Sequence, residues 1–460
     1  MKKAFKKRLT ALAAALCLIV CMMPVEVNAD EADTVKYVAL GDSITRGYGL
    51  DDPEIMSFPK LISDEQGYSI VNYGTDGATS ETLLESLSDK EVAADVASAD
   101  IITITIGGND MMGALYSYIA AEWNSQYPGG EQKDASDIND ALENKNSNML
   151  IFALGVIDGF TKSEEAEQAV AAFTQNLGGI IEEIREANTD VLLFVATQYN
   201  PYKWLPDQCN DSYKDNVEKI ADIFDSGVSV LNDVINSGAQ SGAYVSVDVY
   251  GAFNESETDL SNAKYSSTLM GSWVIPEVDL DFHPNEEGHE AIAETMIAAI
   301  NTTVQTALEK AVKATEALGT ITADQKDVSS TETAQAWVAG QIQSIPATGL
   351  SVSGALDKFV PAAAGTADNP AGTDGSFDII ATFGLAGQSH TVTIPVVIKA
   401  TAYTTPDENE QQTDDDTAVK DTSSSPKTGD FSAYAPYAAL MMAAAAAAAV
   451  AYRKISGRRV

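Results

Sequence analysis

From residue 35 to about residue 300 the sequence alternates short, β-branched apolar runs with longer amphipathic stretches. This alternation restricts the fold more than any other feature of the chain. The apolar runs at 35–40, 69–73, 101–106, 191–197 and 243–249 are of strand length. Between them lie helical patterns at 57–66, 80–97, 164–187, 216–236 and 286–303. Strands separated by helices pair in parallel, with both faces of the sheet covered. The pattern therefore predicts an α/β domain over 33–303. In such sheets ligands bind at the carboxyl ends of the strands, so those ends are where chemistry is sought. The stretch from Tyr116 to Phe160 carries Pro128-Gly129-Gly130 and many Asp and Asn residues, and reads as an irregular insertion placed to lid the site.

Four segments fall at those strand ends or just before the last helix. Gly41-Asp42-Ser43-Ile44-Thr45 follows the first strand. Gly41 permits a sharp turn, and a serine at a strand-to-helix turn presents its hydroxyl to solvent, as a nucleophile requires. Thr45 stands where a G-x-S-x-G elbow needs glycine, so that motif is absent. Gly77, in Asn72–Thr79 after the second strand, offers an unshielded backbone N–H. Asn109, in Gly107-Gly108-Asn109-Asp110 after the third, offers a side-chain amide. An oxyanion needs such preorganised donors, and neighbouring strand ends bring Ser43, Gly77 and Asn109 toward one crevice. Taken singly, each of these is an ordinary turn or cap. The fourth segment, 279–289, holds two of the chain's three histidines. His390 lies outside the domain and His289 falls on the following helix, where packing is its expected fate. His283, in a loop beside carboxylates and followed by Pro284, is the natural base.

In this order the four segments resemble the blocks of the SGNH hydrolases, or GDSL esterases/lipases, over roughly 35–303. The resemblance implies a flavodoxin-like three-layer α/β/α parallel sheet and hydrolysis of carboxylic (acyl) esters. By position it makes Ser43 the nucleophile and His283 the general base, with Ser43, Gly77 and Asn109 as the oxyanion hole. One position departs from it. The family places an orienting aspartate three residues before the histidine, where this chain has Leu280. Asp281 is the first candidate for that role, with Asp279 and a backbone carbonyl as alternatives. Substrates in the family include lipids, thioesters and acylated glycans, and the sequence does not choose among them. Tyr199, Tyr202 and Trp204, past the fourth strand, either line a pocket or pack the loop. No cofactor is implied, and no metal, since no Cys/His/carboxylate group has ligand spacing.

The rest of the chain concerns address. Residues 306–403 pass from a short helical stretch into alternating runs at 349–352, 376–383 and 391–398, separated by Gly/Pro/Asp turns. They read as a small, mainly β module resembling one found in Gram-positive surface proteins. Residues 404–425 are rich in Asp, Thr, Ser and Glu, the composition of a disordered stalk. At the start, the basic head MKKAFKKR, an apolar run and Val27-Asn28-Ala29 read as a signal peptide over 1–29, cut by signal peptidase after Ala29. A lipoprotein site at Cys21 is the rival, but Val20 is not the small residue it wants. Residues 426–460 hold Pro426-Lys427-Thr428-Gly429, an apolar run of membrane-spanning length and a basic tail. That order resembles a sortase sorting signal, with S-P-K-T-G for the commoner L-P-x-T-G. It implies cleavage between Thr428 and Gly429 and attachment to cell-wall peptidoglycan; a plain membrane anchor is the alternative. Either places the folded part outside a Gram-positive cell.

Composition limits the partners. The chain has 28 basic and 67 acidic residues, a formal net charge of −39, and nine of the bases lie in the basic head before the first apolar run and the basic tail after the last. Such a surface repels phosphate backbones and anionic headgroups, which argues against nucleic-acid binding. Only Cys209 lies in the expected mature chain, so no internal disulfide forms there. The rival to an ester hydrolase is a surface adhesin or glycan-binding protein built on an inactive hydrolase scaffold.

Overall fold

The computed structural model of the protein describes residues 34–404, except 211, 271, 346 and 348. The expected signal peptide, the stalk beyond Thr404 and the sorting signal with Thr428 and Gly429 lie outside the described residues. Among those described, no helix is long and apolar enough to cross a membrane.

Strands β1 (Lys36–Gly41), β2 (Ser69–Gly74), β3 (Ile101–Thr105), β4 (Leu192–Ala196) and β5 (Val245–Val247) pair in parallel in the order β2-β1-β3-β4-β5. The inner strands β1, β3 and β4 are buried on both sides because successive residues point to opposite cores, whereas the edge strand β2 is largely exposed. Tyr37, Ala39, Ile101 and Phe194 enter one apolar cluster, while Val38, Leu40, Ile102 and Val195 enter another. The helices that cover the faces supply the remainder. They and the rest of the site are carried by α1 (Ser43–Arg46), α2 (Phe58–Gln66), α3 (Gly108–Gln126), α4 (Ala135–Glu143), α5 (Ser147–Val156), α6 (Glu164–Ala187), α7 (Lys214–Ala239), α8 (Glu286–Glu316) and α9 (Thr331–Gln343). Phe58, Ile62 and Ile292 cover the first face, and Phe173, Leu177 and Leu231 the second. This is the expected three-layer α/β/α sheet.

Several elements differ from their sequence expectations. The helix expected at 80–97 is two, Ser80–Ser86 and Lys90–Ser98. Asp89 interrupts it because its carboxylate accepts the Glu91 N–H at 2.8 Å, starting a new helix. The segment 116–160 is helical rather than irregular. Its Pro-Gly-Gly and Asn/Asp residues act as breaks and caps: Asp134 closes a capping box at α4 and the Asn146 side chain accepts the first N–H groups of α5. These helices and α3 bury their own cluster of Leu115, Ile119, Ile138, Met149, Ile157 and Phe160. Finally, β6 (Lys264–Met270) and β7 (Trp273–Asp279) form an antiparallel hairpin for which no strands were expected. β6 is almost wholly exposed and β7 alternates only between exposed and partly buried positions, so neither shows the apolar–polar alternation that marks a half-buried strand in sequence.

Beyond the sheet, α8 does not stop near 303 but continues to Glu316. It leads to a second sheet, ordered β8-β11-β10-β9, of β8 (Ile321–Asp324), β9 (Ser351–Val360), β10 (Gly375–Leu385) and β11 (Gln388–Lys399). Helix α9 packs on this small, β-rich region. Ile300, Val304 and Leu308 of α8 are fully buried in the same cluster as Phe377, Ile379 and Ile394. At about 1.5–3 kcal/mol for each large aliphatic side chain removed from water, this seam is a substantial part of the core.

Candidate active site

The site begins where β1 ends. Gly41 takes φ +143, and a Cβ there would stand 2.2 Å from the Thr105 carbonyl oxygen, so only glycine fits. The close approach lets Asp42 N–H donate to that carbonyl at 3.2 Å and turns the chain into α1. Asp42 is buried beneath the turn. Its Oδ1 accepts from Ile44 N–H (3.1 Å) and from Thr105 Oγ1 (2.9 Å). Burial pushes this carboxyl up to about 6, with those two bonds and the charge of His283 opposing the rise. Its place is structural: it caps the helix that presents Ser43.

Ser43 heads α1, whose first N–H groups have no acceptor within the helix. Its Oγ lies 2.9 Å from His283 Nε2, although the two residues are 240 positions apart. On the far side of the ring, His283 Nδ1 is 2.7 Å from Asp281 Oδ1. The same Oδ1 accepts the backbone N–H of His283 at 3.1 Å. This bond from a carboxylate to the N–H two residues on is an Asx turn. It explains how an aspartate only two residues before the histidine reaches its ring. Burial alone would raise the Asp281 carboxyl, but the His283 ring, its N–H and its charge together hold it below the ordinary aspartate value. Asp279 goes elsewhere: it accepts from Lys145 Nζ (3.1 Å) and from Asp281 N–H (3.3 Å). Of the two carboxylates left open by the sequence, Asp281 is the one beside the imidazole.

The loop carrying His283 is fixed from several directions. Tyr199 Oη donates to the Phe282 carbonyl and Tyr202 Oη to that of Leu280, both at 2.9 Å. Asn262 N–H donates to the His283 carbonyl at 2.9 Å, and Asn285 caps α8 by accepting Gly288 N–H at 2.9 Å. The aromatic residues after β4 therefore act mainly by packing and bonding; Tyr202 and Trp204 are buried, and only Tyr199 also borders the pocket. Two ring contacts had no distinctive signal in the sequence. Tyr48 and Phe282 lie against the His283 ring, each with centroids 4.4 Å apart. A tyrosine five residues after the serine looks like any surface aromatic until the fold closes.

Of the other expected oxyanion donors, Gly77 lies in the loop after β2 and Asn109 in the first turn of α3. Asn109 Nδ2 donates to the Ala78 carbonyl at 2.9 Å, tying the third loop to the second. The amide carries two hydrogens, so one remains for another acceptor. Gly77 has φ +74, and a Cβ there would meet nothing within 4 Å, so its backbone is approachable. An ion pair between Arg46 and Asp76 (2.6 Å) holds that loop to α1. Asp110 accepts from Ser80 N–H at 2.9 Å and so serves as a link between elements. His289 is fully buried, with Nδ1 accepting the Phe58 N–H at 3.3 Å, which is a packing role. Among the described residues, no group of three His, Cys, Asp or Glu side chains could hold a metal ion.

Ser43 and Asn109 open onto a pocket of about 740 Å³, its mouth included. Helices α3 and α7 wall it, and Phe160 and Phe282 close its sides.

The model of the GDSL-like lipase/acylhydrolase family matches residues 39–291, more than half of the chain. The uncharacterized protein YpmR of Bacillus subtilis (strain 168) is 25% identical over 283 residues, 59% of this chain and 85% of that one. The spore germination lipase LipC of Bacillus licheniformis is 26% identical over 160 residues, 31% of this chain and 74% of that one. Among solved structures, an extracellular lipase from Streptomyces rimosus is matched at 19% identity and a TM-score of 0.36, covering 58% of this chain and 100% of that one.

Proposed function

The chain belongs to the GDSL-like lipase/acylhydrolase family, and on that premise we propose that it hydrolyses carboxylic esters with Ser43 as nucleophile, His283 as base and Asp281 as the group that orients it. The observation that most supports this reading is the unbroken line of hydrogen bonds from Ser43 Oγ through both ring nitrogens of His283 to Asp281. With Nδ1–H donating to the carboxylate, Nε2 is left as an acceptor facing the hydroxyl, the tautomer a general base needs.

The steps follow. Ser43 Oγ attacks the ester carbonyl carbon as its proton passes to Nε2. The charge that develops on the carbonyl oxygen is met by the Ser43 and Gly77 N–H groups and the Asn109 amide. Removing one such donor commonly costs about 10²–10³ in kcat. The bond to the alcohol then breaks, and the alcohol leaves with the proton from Nε2. Water attacks the acyl-serine, gives its proton to Nε2, and the acid departs as Ser43 regains its hydrogen.

The test is hydrolysis of short-chain nitrophenyl esters by residues 30–403, beside Ser43→Ala. Turnover lost in the variant is expected. Activity that is absent, or indifferent to the substitution, favours the adhesin on an inert scaffold instead. The address is a separate part of the proposal: export through the signal peptide and attachment at Thr428 by a sortase. Deleting Thr428 and Gly429 is expected to release the protein from the wall fraction; unchanged retention rejects sorting.

A further inference from the structure

We infer that Gly227 determines specificity: it keeps open an apolar pocket that takes the acyl half of the ester, so that medium-chain acyl esters are favoured over acetyl esters. This rests on the ester-hydrolase reading of the same site. The first observation is which half of the ester the pocket faces. Ser43, Gly108 and Asn109 line its polar end, and Phe282 borders it, but His283 does not. A leaving alcohol must collect its proton from His283 Nε2, so it lies on the His283 side, toward the half-exposed Tyr48. The acyl chain, bonded to the carbonyl carbon at Ser43, is left to run into the pocket.

The second observation is the lining. Beyond the polar end, the walls are Met111 and Leu115 of α3, Phe160, and Ile223, Phe224 and Val228 of α7. The polar side chains there are already bonded within the protein. Gln198 Nε2 donates to the Ile106 carbonyl at 3.0 Å and Tyr199 Oη to that of Phe282. Asp42 is buried under the turn. Little is left for sugar hydroxyls to bond.

The third observation is Gly227 itself. It stands in the interior of α7, between Phe224 and Val228, where glycine is the poorest helix former after proline. No close neighbour demands it: a Cβ there would meet only Met111 Cγ, at an ordinary 3.9 Å. A longer side chain at 227 projects into the gap between α7 and α3, toward Met111.

The experiment measures kcat/KM for nitrophenyl acetate, butyrate, octanoate and dodecanoate. Each methylene buried favours binding by roughly fourfold, so the wild type is expected to prefer octanoate to acetate. In Gly227→Leu the octanoate-to-acetate ratio is expected to fall at least tenfold. Met111→Trp, which narrows the same gap from the facing helix, replaces it should the leucine variant not fold. A wild type that prefers acetate, or a ratio unmoved by whichever narrowed variant folds, overturns the inference while Ser43-dependent turnover leaves the hydrolase reading standing. No turnover of any ester, or turnover that survives Ser43→Ala, overturns both.

Discussion

At the residue scale the site turns on a single carboxylate oxygen. Asp281 Oδ1 binds both the backbone N–H and the Nδ1 of His283. In Asp281→Asn the amide can turn toward Nδ1 and leave the ring proton on Nε2, so that Ser43 faces a donor where it needs an acceptor. A fall in kcat of roughly 10²- to 10⁴-fold is expected. Asp279→Asn, which alters the Lys145 contact, is expected to change it less than about threefold; steady-state kinetics on one ester separates the two. The other histidine of the segment contributes to the loss of stability in acid. Burial, then the charge of His283, lowers His289 from its ordinary value to about 3. Its stability contribution is therefore whole above about pH 6.5 and declines as pH falls, because the unfolded chain takes up a proton that the fold refuses. The loss is about 1.4 kcal/mol per pH unit down to pH 3. His289→Gln removes this titration. The difference in unfolding free energy between wild type and variant, from urea titrations at pH 4, 5 and 6, is expected to shift by that amount per unit, with the wild type losing as pH falls. A pH-independent difference would contradict the buried neutral imidazole.

At the element scale, the insertion shows how a wall of the site is made. Its Pro, Gly, Asn and Asp residues signal breaks, and they do break the chain, but between helices rather than within a loop. What converts it to helix is the tertiary cluster on which α4, α5 and α3 meet, with Ile138 fully buried at its centre. Helices of nine or ten residues are marginal alone and take their stability from such packing. Ile138→Ala is therefore expected to cost about 2–4 kcal/mol and to raise amide exchange across α5 and residues 157–162. Loss of protection confined to α4 would show the cluster not to be shared. Because Phe160 belongs to this cluster and also lines the pocket, the insertion bears on substrate as well as on stability.

At the scale of the whole molecule, α8 joins two sheets that the sequence presents as separate. Its first turns pack under β4 and β5, and its later turns, with Leu308 fully buried, pack under β10 and β11. Gln388 Nε2 adds a hydrogen bond to Asn301 Oδ1 at 2.7 Å across the seam. A continuous helix in one continuous core couples the two regions. Leu308→Ala is expected to cost about 2–5 kcal/mol and to lower the single calorimetric transition as a unit. Two resolved transitions, with only one moved, would show that the sheets unfold independently.

Local chemistry accounts for what was legible in advance. The strand–helix alternation dictated a parallel sheet covered on both faces, since each apolar run had to be buried somewhere. The turn residues after β1, β2 and β3 marked Ser43, Gly77 and Asn109 because short-range sterics put glycine where the backbone turns sharply. The three-histidine count left His283 as the natural base. Partners across long separations were not legible: Asp281 or Asp279 beside the ring, Tyr48 and Phe282 against it, Gly227 facing Met111, and α8 shared between two sheets. Each depends on where a side chain points once distant segments close. That is decided by packing over hundreds of residues, and the spacing of residues along the chain carries no record of it.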